Sequence, residues 1–267
     1  MLYIKQHSDG DKTVVTVIDS FTGEMVSTSN TEADYDDVVA IINRRAESGD
    51  SIGDIKKEVE DLRGNQTAAV REKYGIVIDT DKIVVNGREF PVAFSRVFKG
   101  LVGEDGAKRL VKFTELLEAN PLDYAGDALV EWIIANPSLE ILEDGRIRGY
   151  RGLDPDMRSI HHGYAIVNGE EVNGGVDNSP GNNIKFPREM IDHNTNTHCS
   201  IGLHVGTAEY AHGWGQRYVT LAFSPADVVS PPSDAAQHKI RVCEMDILEE
   251  VSSSKMEEFK SNDEEIA

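Results

Sequence analysis

A change of sequence pattern near residue 140 is the feature that most constrains how this chain can fold. Up to that point apolar residues recur at helical spacing, and two short amphipathic segments end at the pairs Asn120–Pro121 and Asn136–Pro137. The residue before a proline avoids the helical region, so both pairs should end helices. Beyond them helical periodicity disappears, while glycine, asparagine, proline and histidine become frequent. We therefore expect two paired helices followed by a compact, loop-rich β domain.

The whole sequence predicts an α+β protein with an N-terminal hairpin plus helices, a middle helical hairpin and a C-terminal loop-rich antiparallel β domain. The β-branched run Thr13–Ile18 and the turn Phe21–Glu24 predict the first hairpin. Helical spacing predicts helices over residues 33–47 and 52–63, and Gly64–Thr67 is typical of a joint. The predicted regions are an N-terminal α/β region over 1–70, a hairpin plus two-helix region over 71–139, a β domain over 140–248 and an acidic tail over 249–267.

Shorter signals predict several further elements. The pair Asn86–Gly87 between strand-like runs is the strongest short-range hairpin signal. Residues 107–118 and 127–135 carry apolar residues at helical spacing and form the expected helical hairpin. In the last third, residues 217–223 and 239–245 have the pattern of strands.

The chain is strongly acidic, with 47 acidic against 27 basic residues and a formal net charge of −20. Such a surface repels phosphate backbones and anionic lipid, so we expect neither non-specific nucleic-acid binding nor docking on a membrane surface. The acidic tail is expected to be either a surface helix packed through Met256 and Phe259 or disordered.

Neither a membrane span nor a targeting segment is expected. No apolar run approaches the roughly 20 residues of a membrane helix, and polar sequence follows Met1–Lys5 directly, without the pattern of a signal peptide. These features predict a soluble protein of a reducing cytoplasm, without direct membrane insertion, in which Cys199 and Cys243 are thiols.

Histidines are concentrated in the predicted β domain, and their arrangement bears on metal binding. Seven of the eight lie after residue 160, and histidine is the commonest metal ligand and proton shuttle near neutral pH. A zinc site would need His193, His198, Cys199 and His204 to converge, but their spacing matches no standard zinc pattern. Adjacent His198 and Cys199 would also point to opposite faces of a strand. We expect no metal and no cofactor.

Two short motifs hold the residues best suited to bind a ligand. The first is Tyr150–Arg151 at the end of a predicted strand, where an arginine can hold a phosphate through two parallel hydrogen bonds. The second is the segment Cys199–His204. Together with other histidine and arginine positions they predict a site for a nucleotide-like ligand, formed by Tyr150, Arg151, His161, Arg188, Cys199, Ser200 and His204.

Enzymatic alternatives use the same residues. A nucleophilic Cys199 paired with His161 or His204 would need surroundings that stabilise the thiolate, whereas a buried thiol in a β core is the more common role. The Tyr-Arg-Gly strand end followed by Gly202–Thr207 also looks similar to an ADP-ribosyltransferase-type cleft. Those enzymes need a late catalytic glutamate, for which Glu244 is the natural candidate. The sequence holds no complete set of acid, base and nucleophile, so the catalytic residues are unassigned and binding is favoured over catalysis.

An ordered series of short motifs runs through the last half of the chain and carries a family resemblance. The motifs are Asn136-Pro137, Glu143-Asp144-Gly145, Tyr150-Arg151, Ile160-His161-His162-Gly163, Phe186-Pro187-Arg188, Cys199-Ser200-Ile201-Gly202-Leu203-His204, Ser224-Pro225-Ala226-Asp227-Val228-Val229, Pro232-Ser233-Asp234, Lys239 and Arg241-Val242-Cys243. Their order and approximate spacing resemble those of the RIIB lysis-inhibition proteins of tailed bacteriophages. The resemblance covers about residues 75–248, but the first 70 residues and the Gly169–Asn183 segment depart from the family pattern.

The resemblance implies an early phage protein that affects lysis timing and helps the phage to evade host or prophage defence. It implies a location in the cytoplasm of the infected bacterium, with membrane association only through a partner. The partners to be considered are a RIIA-like phage protein, a host factor, a nucleotide-like ligand and a second copy of the chain. Three hypotheses follow: a non-enzymatic accessory protein that binds a partner, a small-molecule binder that sequesters a host defence signal, and an ADP-ribosyltransferase-like or hydrolytic enzyme.

Overall fold

The computed structural model describes residues 2–9, 12–30, 35–78, 81–97, 104–136, 139–197, 200–231 and 238–266, with the side chains of residues 9, 65–67, 95–97 and 260–266 left out of the description. The chain forms two compact units. The first comprises Met1–Val77 and Gly100–Ala107, and the second comprises Ile78–Lys99 and Lys108–Ala267. Helices and strands occur in both units, which confirms the predicted α+β class.

The first unit is a small antiparallel sheet covered by two helices. Its strands are β1 (Leu2–Asp9), β2 (Lys12–Asp19) and β3 (Met25–Ser29), in the order β1-β2-β3, and its helices are α1 (Tyr35–Glu47) and α2 (Ile52–Tyr74). The predicted turn joins β2 to β3, with Gly23 at a φ of 74°. Apolar side chains of β2 and both helices form the core, which includes Val15, Val17, Val38, Ile41, Ile42, Ile52, Ile55 and Val59.

Helix α2 is longer than the sequence pattern predicts. It begins at a capping box, in which the Ser51 side chain accepts from the backbone of Asp54 while the Asp54 carboxylate accepts from the backbone of Ser51. It ends at Gly75, which adopts the left-handed conformation at a φ of 63°. The joint predicted at Gly64–Thr67 is therefore wrong. One interior glycine costs only about 1 kcal/mol, and the good helix formers around it offset that cost.

The middle of the chain contains the predicted hairpin and the predicted helical pair. Asn86 and Gly87 both have positive φ, at 52° and 88°, as a type I′ turn requires. The elements here are β4 (Ile76–Ile78), β5 (Lys82–Val85) and β6 (Arg88–Pro91), which form a sheet in that order, and the helices α3 (Glu104–Glu118) and α4 (Asp123–Ala135). Both helices begin somewhat earlier than expected. Pro137, the second expected helix stop, lies outside the described residues.

A nine-stranded sheet forms the C-terminal region, and every strand pair described in it is antiparallel, as predicted. Its order is β13-β14-β11-β7-β12-β15-β10-β8-β9. The strands are β7 (Ile147–Leu153), β8 (Gly163–Val167), β9 (Glu170–Gly174), β10 (Asn183–Lys185), β11 (Leu203–Gly206), β12 (Arg217–Phe223), β13 (Val228–Ser230), β14 (Lys239–Val242) and β15 (Glu244–Val251). The strand predicted over 239–245 is divided at Cys243, where the chain passes from β14 to β15.

The central strand β7 pairs very differently with its two neighbours. It pairs with β12 along its whole length, from Ile147 opposite Phe223 to Leu153 opposite Arg217. With β11 it shares a single paired position, Tyr150 opposite Gly206. Gly206 is the last residue of β11, so the rest of β11 is not paired with β7. Since both lie in the interior of the sheet, the separation opens a space within the domain rather than at its edge.

Two further helices lie in the C-terminal region and pack beside this sheet. Helix α5 (Ala208–His212) begins at Thr207, whose side chain accepts from the Tyr210 backbone, and the tail forms α6 (Ser253–Ile266). Met256 is fully buried, and the Phe259 ring lies 5.4 Å from the Tyr150 ring between centroids. The helical expectation for the tail is the one observed. No helix in the described part of the chain is long and apolar enough to cross a membrane.

A buried asparagine provides a test of the second unit. The Asn120 side chain donates to the carbonyls of Pro225 and Val228 at 2.8 and 2.9 Å and accepts from the backbone of Leu122. Asn120→Ala removes these buried hydrogen bonds and leaves the Leu122 N–H without its acceptor, while the two carbonyls keep other donors. It should lower the free energy of unfolding by about 1–3 kcal/mol. Urea unfolding followed by the fluorescence of buried Trp132 measures it. The exposed Glu131→Ala serves as control and should change stability by less than about 0.5 kcal/mol; an equal effect of both variants would contradict the prediction.

Candidate ligand-binding site

The space between β7 and β11 is a cavity of about 620 Å³, called here the β7–β11 cavity. Residues of both strands line it, together with the segment between β7 and β8, the segment before β11, and α5 with the loop that follows it. This volume lies within the range of roughly 300–1,000 Å³ that is typical of small-molecule sites. The cavity is thus large enough for a ligand well beyond the size of a single phosphate.

Five of the seven residues predicted for ligand binding line this cavity: Tyr150, Arg151, His161, Ser200 and His204. The two motifs, about 50 residues apart in sequence, are therefore brought together by the parting strands. Cys199 lies outside the described residues. Ligand binding by these residues stays a prediction, and the structure supplies its geometry.

Arg188 does not belong to the described lining of the cavity. Its guanidinium donates to the carbonyls of Ala226 and Val228 at 2.7 and 3.3 Å and lies 3.6 Å from the Asp227 carboxylate. It therefore holds the turn before β13. The sequence could not reveal this, because the acceptors are backbone groups distant along the chain.

Arg151 is the most unusual charged group of the cavity. It retains accessible surface because it lines the cavity, yet the surrounding protein removes enough water to lower the pKa of its guanidinium to about 10. It still carries its charge at neutral pH. Its one described side-chain contact is a 3.8 Å contact from Nη1 to the Met245 sulfur, which is a weak acceptor. No carboxylate of the described residues lies within 4.0 Å of it.

The neighbouring arginines, unlike Arg151, have oxygen acceptors among the described residues. Arg146 pairs with Asp144 and Asp246, Arg148 with Glu140 and Glu249, and Arg217 with Glu250. Buried Arg241 donates to the carbonyls of Asn194 and Thr197 and to the Ser230 hydroxyl, so it holds the loop before β11. In a chain with so many carboxylates, Arg151 faces the cavity with strong donors not committed to an oxygen acceptor in the described residues.

His204 contributes a neutral imidazole. Burial, reinforced by the positive charges of Lys239, Arg151 and Arg241, lowers the pKa of His204 to about 4, so the ring is uncharged near neutral pH. Its Nε2 atom is buried and has no hydrogen-bond partner among the described residues. A buried polar atom of this kind usually has a partner, and the His204 side chain belongs to the lining of the cavity.

The rest of the described lining is a mixture of polar, aromatic and aliphatic residues and contains no aspartate or glutamate. It includes His161 and His162, and Ser200, whose hydroxyl bonds to Asp192 and lowers the pKa of that carboxyl. The Ser159 hydroxyl donates to the His161 carbonyl at 2.8 Å and accepts from the Val176 backbone at 2.9 Å, which holds this segment in place. The electrostatic character of the cavity is therefore opposite to that of the acidic chain.

Aromatic side chains form a part of the lining that the sequence reasoning missed. Tyr210 and Trp214 lie with ring centroids 6.0 Å apart, and Tyr164 and Phe186 lie 6.1 Å apart. Trp214 is 52% exposed at the mouth. A tryptophan placed between Gly213 and Gly215 was the available signal, since a large exposed ring in a glycine-flanked loop is typical of a binding surface.

Of the groups considered for catalysis, His161 and His204 line the cavity, Cys199 lies outside the described residues, and Glu244 lies outside the lining. Cys243 is buried beside Asp227, and burial raises the pKa of its thiol to about 12, so it is an unreactive core thiol. Glu244 pairs with Lys185 at 2.8 Å and accepts from Asn183, outside the described lining. Within the described ranges, no group of three His, Cys, Asp or Glu side chains could hold a metal ion.

The chain is similar to known bacteriophage proteins. A family model described as Bacteriophage T4 protein rIIB matches residues 86–255. Protein rIIB of Enterobacteria phage T4 is 32% identical over 151 residues, which cover 55% of this chain and 43% of the T4 protein. The chain thus matches less than half the length of this relative. No solved structure matches it.

The depressed pKa of His204 predicts a pH dependence of stability. In the unfolded chain the imidazole takes up a proton near pH 6.5, but in the folded protein only near pH 4. Stability should therefore be lost as pH falls from about 6.5 towards 4, by at most about 1.4 kcal/mol per pH unit from this group. His204→Gln should flatten the profile in urea unfolding between pH 7 and 5. Ile201→Ala, at the rim, retains His204 and should keep the wild-type slope; parallel profiles for wild type and His204→Gln would refute the assignment.

Proposed function

Because this chain belongs to the bacteriophage rIIB family, we propose that it acts during infection as a phage accessory protein that works by binding rather than by catalysis. The family model covers more than half of the chain, and the membership confirms the resemblance drawn from the ordered motifs. Control of lysis timing and evasion of host or prophage defence are the proposed biological roles. A family or fold does not by itself specify a molecular activity, so the site must supply it.

The proposed molecular activity is the binding of a small anionic molecule in the β7–β11 cavity. The observation that carries it is Arg151, a desolvated guanidinium without a carboxylate partner in the described residues. Placing a charge in a poorly hydrated site is costly unless it is paired. A phosphate or carboxylate entering the cavity could accept two parallel hydrogen bonds from the planar guanidinium. Such a ligand stabilises the site and is stabilised by it.

Sequestration of a host defence signal is the way in which this binding would serve the phage. The chain is negatively charged overall, so long-range attraction does not bring an anion to it. Selectivity must then come from the cavity itself, where a cation and neutral imidazole are held in a space with little water. Assembly with a RIIA-like protein, a host factor or a second copy of the chain remains a parallel proposal for the rest of the surface.

Pyrophosphate binding tests the anion site directly. Arg151→Gln removes the charge and the paired donors, and should weaken pyrophosphate binding more than tenfold in isothermal titration calorimetry, which corresponds to about 1.4 kcal/mol or more. Arg148→Gln, on the same strand but paired with Glu140 and outside the lining, is the matched control and should bind as wild type does. Equal affinities of wild type and Arg151→Gln would overturn the proposal.

Infection tests whether the cavity serves the phage. A phage that encodes Arg151→Gln should reproduce the altered lysis timing of a phage with the gene deleted, whereas Arg148→Gln should keep the wild-type timing. Culture density after synchronised infection measures this, with immunoblotting to show equal protein levels. Wild-type timing for Arg151→Gln, together with altered timing for the deletion, would show that the effect on lysis timing does not depend on anion binding in the cavity.

A further inference from the structure

We propose that the ligand of the β7–β11 cavity is a nucleoside phosphate, with its phosphate on Arg151 and its base stacked on Trp214. This inference rests on the proposed anion site and adds the chemical class of the molecule attached to the anion. Its main support is that the backbone segments carrying Arg151 and Trp214 are locked against each other by a pair of glycines.

Gly152 and Gly215 bring two backbone segments into close contact. A Cβ at Gly152 would lie 2.6 Å from the Ala211 carbonyl oxygen and 2.8 Å from the Gly215 nitrogen, and one at Gly215 would lie 2.6 Å from the Gly152 Cα. Only glycine allows two backbones to approach this closely. Arg151 precedes one glycine and Trp214 precedes the other. The cation and the large ring are therefore neighbours by construction, and both line the cavity.

The Trp214 backbone is anchored to α5, and its side chain is exposed. The Trp214 backbone donates to the Ala211 carbonyl at 3.2 Å, so the residue is tied to the end of α5. Tyr210 lies on α5, and a Cβ added at Gly206 would lie 2.5 Å from its ring. Trp214 remains 52% exposed. An exposed indole face can stack on a planar base, an interaction worth about 1–3 kcal/mol per base.

The β7–β11 cavity has an apolar rim. Ile160, Met190, Ile201 and Trp214 are each at least 42% exposed, and all four line this one cavity. A bare anion would leave these side chains in water. A ligand with a charged end near Arg151 and a flat, weakly polar end at the mouth would cover them, and burial of apolar surface contributes roughly 25 cal/mol per Å².

The histidines of the lining favour a nucleoside over an alkyl chain. His161, His162 and His204 contribute polar imidazole side chains to the same lining. A hydrocarbon chain would cover these polar atoms without bonding to them, which is costly. A base edge or a sugar hydroxyl can bond to a neutral imidazole, which both donates and accepts. Ring, hydroxyl and phosphate together match the lining.

Tryptophan fluorescence reports on this cavity with little interference. The chain has two tryptophans, and Trp132 is 1% exposed and outside the lining, so a ligand that stacks in the cavity should quench Trp214 alone. We expect AMP, GMP, CMP, UMP or ADP to quench saturably, with at least one of them binding at least tenfold more tightly than pyrophosphate. Pyrophosphate should bind without stacking and should quench little.

Three variants make the outcome decisive. Trp214→Ala should weaken calorimetric binding of the best nucleotide at least fivefold more than it weakens pyrophosphate binding, and Trp214→Phe should restore part of the nucleotide affinity. Arg151→Gln should weaken both ligands. If pyrophosphate binds through Arg151 but no nucleotide binds more tightly, the nucleoside inference is wrong and the anion site stands. If neither ligand responds to Arg151→Gln, the proposed function itself fails.

Discussion

The guanidinium of Arg151 is the group on which the account of this domain depends. An arginine placed where hydration is poor normally has a carboxylate beside it, and the other described arginines on this sheet have carboxylate or backbone carbonyl partners. Arg151 has a thioether contact instead. The folded chain therefore keeps a charge whose partner must come from outside the described residues, and the cavity in front of it is where a ligand can supply one.

The sheet creates this situation through strand pairing rather than through loops alone. β7 is held along its full length by β12, while β11 meets it at one position and then parts from it. Gly149 and Gly152 on β7 allow close packing on either side, since a Cβ at Gly149 would lie 2.2 Å from a methyl of Val205. A rigid strand with paired glycines thus carries Arg151 at a fixed place, and the helix after β11 brings the aromatic rings to it.

Much of the architecture could be predicted because its causes are local. The Asn86–Gly87 turn, the strand over residues 217–223 and the helical pair before residue 140 follow from backbone preference and periodicity. Two motifs distant in sequence were also assigned to one site, and the structure places both around one cavity.

The continuation of α2 through Gly64 was missed because a single glycine is a weak break when helix formers surround it. Arg188 lies outside the described lining because its partners are backbone carbonyls that only the tertiary fold brings close. Trp214 was overlooked although its glycine-flanked position was a local signal, and its closeness to Arg151 comes from the contact between Gly152 and Gly215, which no local pattern reveals.

Nuclear magnetic resonance of the arginine side chains tests the central claim most directly. With ¹⁵N-labelled protein and the Arg151→Gln and Arg148→Gln variants for assignment, the Nε–Hε signals can be followed as pyrophosphate is added. The account predicts a saturable shift of the Arg151 signal at the concentrations where calorimetry detects binding, while the signals of Arg148, Arg188 and Arg241 stay in place. A binding isotherm accompanied by shifts of other arginines and an unchanged Arg151 signal would contradict it.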